Sequence, residues 1–157
     1  MIGTVLIVAM RTEHIDELMP YEQAMFGTEA WSADSYRDEL ADTRHRRYLA
    51  ALDQDGNLIG WAGVRVVAGE AEILTVGVIP AARRQGIAVR LLSALLHEAR
   101  QRGATQAFLE VRVDNIGARR MYERAGFVRV GIRRGYYDAG RVDAVVMRLD
   151  LPPRGTP

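Results

Sequence analysis

The most constraining feature of the sequence is a change of pattern between residues 72 and 102. Residues 72–78 have the composition of a β-strand, Pro80 ends that strand, and residues 85–102 repeat apolar side chains with a helical period. Gly86 lies where this helix begins. A helix N-terminus presents unpaired N–H groups and the positive end of the helix dipole, which together bind phosphate oxygens. The segment therefore indicates either an anion site or an ordinary strand–helix turn.

The rest of the chain predicts alternating strands and helices in one α/β domain over residues 1–150. Asp55-Gly56-Asn57 is a hairpin signal between two strands, and Gly103 and Gly126 are placed to end helices. Residues 151–157 are rich in proline, and we expect a disordered tail there. The predicted order is β-α-α-β-β-β-α-β-α-β-β. The strands are predicted over 4–9, 47–52, 58–68, 72–78, 106–113, 127–132 and 144–149. Helices are predicted over 13–25, 85–102 and 115–125, and another helix is predicted to begin after Ser32 or Ser35.

The first predicted helix carries an apolar stripe that should face the core. Its members are Ile15, Leu18, Met19 and Ala24.

Composition excludes several classes of function. The chain of 157 residues has no cysteine, which excludes disulfides, thiolate metal sites and a cysteine nucleophile and is consistent with a cytoplasmic location. His14, His45 and His97 lack the spacing of metal ligands. No apolar run approaches the roughly 18 residues that span a bilayer. A net charge of +1 does not suggest a nucleic-acid-binding protein, although arginine pairs such as Arg83–Arg84 suit phosphates or acidic partners.

Glu110 is an unusual residue for the middle of a predicted strand. Leu109 and Val111 point to one face, so Glu110 and Arg112 share the other. A glutamate in a central strand costs free energy unless it is hydrated or paired. The pattern therefore leaves two interpretations, an ion pair with Arg112 or a general base that acts directly or through water.

Tyr122 lies twelve residues further along, in the short predicted helix. By pattern alone it is a core aromatic residue. A phenol and a carboxylate in one site could also serve as a pair for proton transfer, because the carboxylate can accept a proton and the phenol can donate one.

Three motifs resemble those of a known family. Arg83-x-x-Gly86-x-Ala88, between a Val-x-Val-x-Pro strand end and a leucine-rich helix, resembles the acetyl-CoA signature of the GNAT superfamily of N-acetyltransferases. Leu109-Glu110-Val111-Arg112-x-x-Asn115 and Ala118-x-x-x-Tyr122-Glu123-x-x-Gly126-Phe127 resemble its ribosomal-protein-alanine N-acetyltransferases. The fold that this resemblance implies is the GNAT fold, a mixed, mostly antiparallel sheet of six or seven strands flanked by about four helices.

The resemblance also implies roles for individual residues. Glu110 would accept the proton of the amine and Tyr122 would donate a proton to the CoA sulfur. Glu72 is a rival base that we rank second. Asn115 would contact CoA, although by pattern it is also a helix N-cap. The other positions implied to bind acetyl-CoA are Val76, Gly77, Val78, Arg84, Gln85, Gly86, Ile87, Ala88 and Val89.

Two further elements concern the molecule that would accept the acetyl group. Ala30-Trp31-Ser32 resembles a Pro-Trp-Ser element of the same group, with alanine in place of proline. Arg133-Arg134-Gly135-Tyr136-Tyr137 resembles its Arg-Arg-x-Tyr-Tyr element. The resemblance implies that Trp31, Tyr136 and Tyr137 flank a peptide groove, whereas by pattern the tyrosines could merely fill a hairpin.

The function that we expect is therefore acetyl-CoA-dependent Nα-acetylation of a protein, on the N-terminal alanine of a small-subunit ribosomal protein. One alternative is N-acetylation of a small amine, such as a polyamine, an amino acid or an aminoglycoside. The other is a non-catalytic acyl-CoA-binding regulator, against which the presence of both Glu110 and Tyr122 argues. We expect neither a nucleic acid nor a membrane to be a binding partner.

Overall fold

A computed structural model of the chain describes residues 3–153, which form seven strands and four α-helices in the predicted order. The helices are α1 (Thr12–Phe26), α2 (Ala33–Ala41), α3 (Ile87–Gln101) and α4 (Ile116–Arg124). The strands are β1 (Leu6–Ala9), β2 (Arg46–Leu52), β3 (Leu58–Val67), β4 (Glu70–Val78), β5 (Gln106–Arg112), β6 (Val128–Tyr137) and β7 (Val142–Asp150). Short 3₁₀ turns occupy Gly27–Glu29, Pro80–Ala82 and Asp138–Gly140.

The strands form one mixed sheet in the order β1-β2-β3-β4-β5-β7-β6. Every neighbouring pair is antiparallel except β4 and β5, which are parallel and are joined by the crossover helix α3. The mixed, mostly antiparallel α/β sheet predicted from the sequence is confirmed.

The parallel pair separates soon after it forms. Only Glu70, Ala71 and Glu72 of β4 pair with β5, and the last paired residue opposite them is Phe108. Beyond that point β4 continues to Val78 and β5 continues to Arg112 without pairing to each other. A bulge at Leu74 of β4, where the register to β3 shifts, lies two residues after the last paired residue. The two strands therefore leave a gap in the middle of the sheet.

The helices cover opposite faces of this sheet. Gly60 of β3 lies under Ile87 and Leu91 of α3, whereas the indole of the next residue, Trp61, donates a hydrogen bond to the Tyr36 hydroxyl of α2 at 3.1 Å. Because successive residues of a strand point to opposite faces, α3 and α2 lie on opposite sides of β3. No helix within the described residues is long and apolar enough to cross a membrane.

Local signals in the sequence placed most helix ends correctly. Ser32 is the N-cap of α2, where its hydroxyl accepts from the Ser35 amide at 3.0 Å, and Asn115 caps α4 through the Ala118 amide. Gly56, Gly103 and Gly126 all have the positive φ that their predicted turns need. These caps and turns are set by local chemistry, which a sequence displays directly.

The predicted stripe of α1 is wrong at one position. Ala24 is exposed, and Glu22 is buried instead. Nine residues separate Ala24 from Ile15, and at about 100° per residue they lie on opposite sides of the helix. Glu22 follows Leu18 by four residues and therefore continues the buried face.

The C-terminal part differs from the sequence prediction in two places. Strand β6 runs on to Tyr137, five residues beyond its predicted end. Part of the segment predicted as a tail is anchored, because Leu151 is buried with its amide on Thr105 and Arg100 donates to the Pro152 and Pro153 carbonyls. The rest of that tail, residues 154–157, lies outside the described residues.

Candidate active site

A cleft of about 910 Å³ lies in the gap between β4 and β5. Residues 73–78 of β4 form one wall and residues 109–112 of β5 form the other. The N-terminal region of α3 and the first turns of α4 line one part of the cleft, and the α1–α2 connection lines another. We call these the phosphate end and the acceptor end. A pocket of this size is typical of a site for a drug-sized or cofactor-sized ligand.

The phosphate end is formed by the turn that leads into α3. Gly86 is the N-cap of α3 with φ of +77°, and Arg84 also has a positive φ of +64°. Because the N-cap is glycine, it has no side chain to accept a hydrogen bond from the first helical turn. A Cβ at Gly86 would meet no atom within 4 Å, so the space outside this turn is open. The geometry fits a phosphate held by main-chain amides.

The residues predicted to bind CoA fall into three groups around this turn. Val76, Gly77, Val78, Arg84, Ala88 and Asn115 line the cleft. Gln85 and Gly86 form the turn itself. The Ile87 side chain is buried against Gly60, and the Val89 side chain is 53% exposed. For Ile87, the main-chain amide is therefore the group that remains available to a ligand, and the Val89 amide lies in the same first helical turn.

Gly77 has a packing role that the sequence did not reveal. A Cβ at this position would lie 2.7 Å from the Trp61 ring on the neighbouring strand. The absence of a side chain at Gly77 leaves room for the indole. The small size of Gly77 therefore allows the packing of the cleft wall and also leaves room for a ligand along β4.

Glu110 lies on the cleft wall formed by β5. Its Oε1 accepts from Arg133 Nη1 at 2.5 Å, and the Tyr136 hydroxyl also hydrogen-bonds to the carboxylate and has its pKa raised by that contact. The alternative of an ion pair with Arg112 is wrong, because Arg112 instead binds Asp114 and Glu29. Arg133 lies on β6, beyond β7, and only the order of the strands brings it to Glu110.

Tyr122 of α4 lines the same cleft and is 8% exposed. Its ring packs edge-on against Phe127 with centroids 5.8 Å apart. Burial raises the pKa of its hydroxyl to about 12, because the phenolate would lose its hydration. Tyr122 therefore carries its proton throughout the physiological range.

Glu72 has a different environment from Glu110. It forms an ion pair with Arg65 of β3 at 2.8 Å, and its side chain is 42% exposed. It lies at the last paired position before the gap opens, and among the described residues it is not part of the cleft lining. These contacts favour Glu110 over Glu72 as the carboxylate of the site.

Trp31 lines the acceptor end and is fixed by a residue that sequence reasoning missed. Its amide donates to Glu22 Oε2 at 3.1 Å, and the Tyr36 hydroxyl donates to Glu22 Oε1 at 2.5 Å. Burial raises the pKa of Glu22 in spite of these hydrogen bonds. A glutamate four residues after Leu18, on the apolar face of α1, was the signal that could have revealed it.

Glu29 is a second carboxylate that the sequence analysis missed. Its Oε1 accepts from the Asp138 amide at 2.7 Å and from Arg112 Nη1 at 3.4 Å, across the acceptor end. The amide of Asp138 is the main cause of a lowered pKa for Glu29. No local pattern in the sequence indicates this pairing, since 109 residues separate the partners.

The two tyrosines of the predicted acceptor element have different environments. Tyr137 is half-buried and lines the cleft, and the Arg112 guanidinium lies 5.7 Å from its ring centroid. Tyr136 is 45% exposed and stacks with Arg133 at 4.5 Å. The rings meet edge-on at 4.8 Å. Tyr137 is thus placed to contact a molecule in the cleft, and Tyr136 contacts the Glu110–Arg133 pair.

Comparison with known proteins agrees with this arrangement. A model of the acetyltransferase (GNAT) family matches residues 11–127. N-alpha-acetyltransferase RimI of Mycobacterium tuberculosis is 40% identical over 132 residues, which cover 82% of this chain and 80% of that protein. The ribosomal protein bS18-alanine N-acetyltransferase of Escherichia coli K12 is 37% identical over 124 residues, 77% of this chain and 81% of that protein.

A solved structure extends the similarity to three dimensions. The crystal structure of the ribosomal-protein-S18-alanine N-acetyltransferase from Escherichia coli superposes with a TM-score of 0.82 and 29% sequence identity. The match covers 98% of this chain and 99% of that one.

Proposed function

This chain belongs to the acetyltransferase (GNAT) family of acetyl-CoA-dependent N-acetyltransferases, and we propose that it acetylates the N-terminal alanine of a small-subunit ribosomal protein. The observation that carries the proposal is the gap between β4 and β5. It connects a helix N-terminus suited to a pyrophosphate with a carboxylate and a buried phenol in one cleft. Catalysis of amine acetylation needs these three features together.

The acceptor is inferred from the relatives and from the acceptor end. Two of the relatives are named for the alanine of ribosomal protein bS18 or for Nα-acetylation. In this chain, Trp31 and Tyr137 both line the cleft. Two aromatic walls suit an extended peptide, whose backbone can lie between them. A ribosomal acceptor also implies a cytoplasmic location.

The cosubstrate would lie along β4. Main-chain amides at residues 86–89 and the Arg84 side chain would hold the pyrophosphate, and Asn115 of α4 lies close enough to line the same space. The pantetheine arm would then follow the unpaired edge of β4 at Val76 and Val78 into the gap. Acetyl-CoA supplies the acetyl thioester, and the protein would hold that thioester in the gap.

Glu110 would act as the general base. The N-terminal ammonium of the acceptor transfers a proton to the carboxylate, directly or through a water molecule, and the neutral amine attacks the thioester carbonyl carbon. Arg133 and Tyr136 already bind this carboxylate, but its two oxygens offer about four acceptor positions and can accept another donor.

Tyr122 would act as the general acid. When the tetrahedral intermediate collapses, the carbon–sulfur bond breaks, the amide forms and the departing thiolate of CoA takes the phenolic proton. The phenol is protonated at physiological pH, so a proton would be available as the carbon–sulfur bond breaks. The products are free CoA and the acetylated N-terminus.

The proposal is tested by a thiol-release assay with a panel of acceptors. The panel contains peptides that begin with alanine and match small-subunit ribosomal proteins, the same peptides with a blocked N-terminus, and polyamines, amino acids and aminoglycosides. We expect release of CoA only with free N-terminal peptides, and mass spectrometry should place the acetyl group on the α-amine. Faster turnover of a small amine would refute the choice of acceptor. Binding of acetyl-CoA without any turnover would support a non-catalytic regulator.

A further inference from the structure

Within the proposed function, on which this inference rests, we propose that Glu29 is a positioning residue for the acceptor. Its carboxylate joins the α1–α2 connection to the β6–β7 turn and so closes the acceptor end of the cleft. We call this contact the strap. It is formed by Glu29 Oε1, the Asp138 amide and Arg112 Nη1.

The strap connects three separate parts of the chain at one oxygen atom. Glu29 ends the 3₁₀ turn after α1, Asp138 begins the turn between β6 and β7, and Arg112 is the last residue of β5. Arg112 is in turn fixed by two hydrogen bonds of 3.0 Å to Asp114 and by the Tyr137 ring. The acceptor end is therefore bordered by a continuous set of polar contacts.

The backbone at the strap is strained in a way that the contact helps to maintain. Asp138 and Ala139 have φ values of +51° and +52°, in the left-handed region that residues other than glycine rarely adopt. Two such residues in succession cost free energy and persist only where the surroundings hold them. The Glu29 carboxylate accepts from the first of these residues, and Asp143 accepts from the Gly135 amide on the other side of the turn at 2.8 Å.

The strap places the aromatic walls of the acceptor end relative to each other. Trp31 follows Glu29 by two residues, and Tyr137 immediately precedes Asp138, so both wall residues are adjacent to strap residues. When the strap is intact, the distance between the two walls is fixed before an acceptor arrives. When it is lost, the acceptor must order two loops on binding, which weakens binding without changing the chemistry at Glu110.

The test compares Glu29→Ala, Glu29→Gln and Asp34→Ala. Glutamine keeps an oxygen that accepts from the Asp138 amide, so it should largely rescue the strap. Asp34→Ala removes an exposed carboxylate of α2 that pairs only locally with Arg37 and serves as the matched control. Each variant is assayed with an alanine-terminated peptide and acetyl-CoA, and amide hydrogen exchange is measured at residue 138 in the enzyme without substrates.

We expect Glu29→Ala to raise the KM for the peptide roughly 10-fold, with kcat and the KM for acetyl-CoA unchanged and with faster exchange at residue 138. Glu29→Gln should lie close to wild type, and Asp34→Ala should match wild type. A peptide KM that is unchanged in Glu29→Ala, or an equal loss in every kinetic parameter, would overturn the inference. Failure of the proposed function is distinguishable, because the wild-type enzyme would then not acetylate the peptide at all.

Discussion

The two ends of the cleft are built in different ways. At the phosphate end, the turn around Gly86 offers main-chain groups, and its shape depends on positive φ values at Arg84 and Gly86. At the acceptor end, the α1–α2 connection is held by the side chains of Glu22 and Glu29, which bind amides of Trp31 and Asp138. A turn that depends on glycine can be recognised in a short stretch of sequence. A carboxylate that binds backbone amides of distant segments cannot, because only the fold brings its partners together.

This difference suggests that the two ends respond separately to substitution. Changes at the phosphate end should alter CoA affinity, changes at the acceptor end should alter acceptor binding, and only changes between them should abolish chemistry.

The largest effect is expected for Glu110→Gln, where the two ends meet. Loss of the general base should lower kcat/KM by roughly 10²–10⁴, while calorimetry should find CoA affinity close to wild type. Glu72→Gln is the control, since Glu72 pairs with Arg65 outside the cleft lining, and it should retain nearly full activity. If Glu72→Gln lost more activity than Glu110→Gln, Glu72 would be the general base instead.

The next largest effect is expected for Tyr36→Phe, which changes the contacts of Glu22 at the acceptor end. The substitution removes the hydroxyl that donates to Glu22 and accepts from Trp61, and both partners are buried. It should lower the free energy of unfolding by about 1–3 kcal/mol and raise the acceptor KM, but leave CoA affinity unchanged. Tyr21→Phe, at an exposed position of α1, is the matched control for denaturation and kinetics.

A smaller effect is expected for Gly86→Ala, at the phosphate end. A side chain in the left-handed conformation costs about 1–2 kcal/mol, and relaxation of the turn should weaken CoA binding several-fold. Gly103→Ala places the same strain at the other end of α3, where φ is +87°. Both variants should lose a similar free energy of unfolding. Equal CoA affinities in the two would show that the Gly86 turn does not hold the phosphates.

The smallest effect concerns pH. The pKa of Glu22 is raised in the folded state, so the unfolded chain releases this proton first as the pH rises. The carboxyl group therefore stabilises the fold most below its unfolded pKa of about 4.5, and this contribution is lost as the pH rises through the folded pKa. Denaturant titrations should show wild type losing stability relative to Glu22→Gln over that interval. A relative gain would mean that the hydrogen bonds of Glu22 outweigh its burial.

The sequence was sufficient for the parts of the fold that depend on local chemistry. The hairpin at Gly56, the caps at Ser32 and Asn115 and the strand–turn–helix unit around Gly86 each follow from the residues of one short segment. For the same reason, the element order was within reach of sequence reasoning. The expectation that Glu110 and Tyr122 share one site came instead from the family resemblance, because by pattern alone Tyr122 is a core aromatic residue.

Contacts between distant segments were not within reach. Arg112 is the same-face neighbour of Glu110 on β5, yet Arg133 on β6 binds the Glu110 carboxylate. Arg133 and Arg112 both pair with Ala144 of β7, from its two sides, so Arg133 reaches Glu110 diagonally across that strand. The extension of β6 to Tyr137 follows two shifts of register to β7, which disturb the alternation that predicts strands. Sequence spacing alone does not specify such shifts.

The central claim is that acetyl transfer takes place in the gap between β4 and β5, with the cosubstrate entering from the Gly86 turn and the acceptor from the Trp31 side. The most direct measurement is a crystal structure with a bisubstrate compound that joins CoA to the N-terminus of an alanine peptide. We predict the pyrophosphate at the amides of residues 86–89, the sulfur within hydrogen-bond reach of Tyr122, and the peptide between Trp31 and Tyr137. A compound bound with its sulfur outside the gap, or with its peptide away from those two rings, would contradict the account.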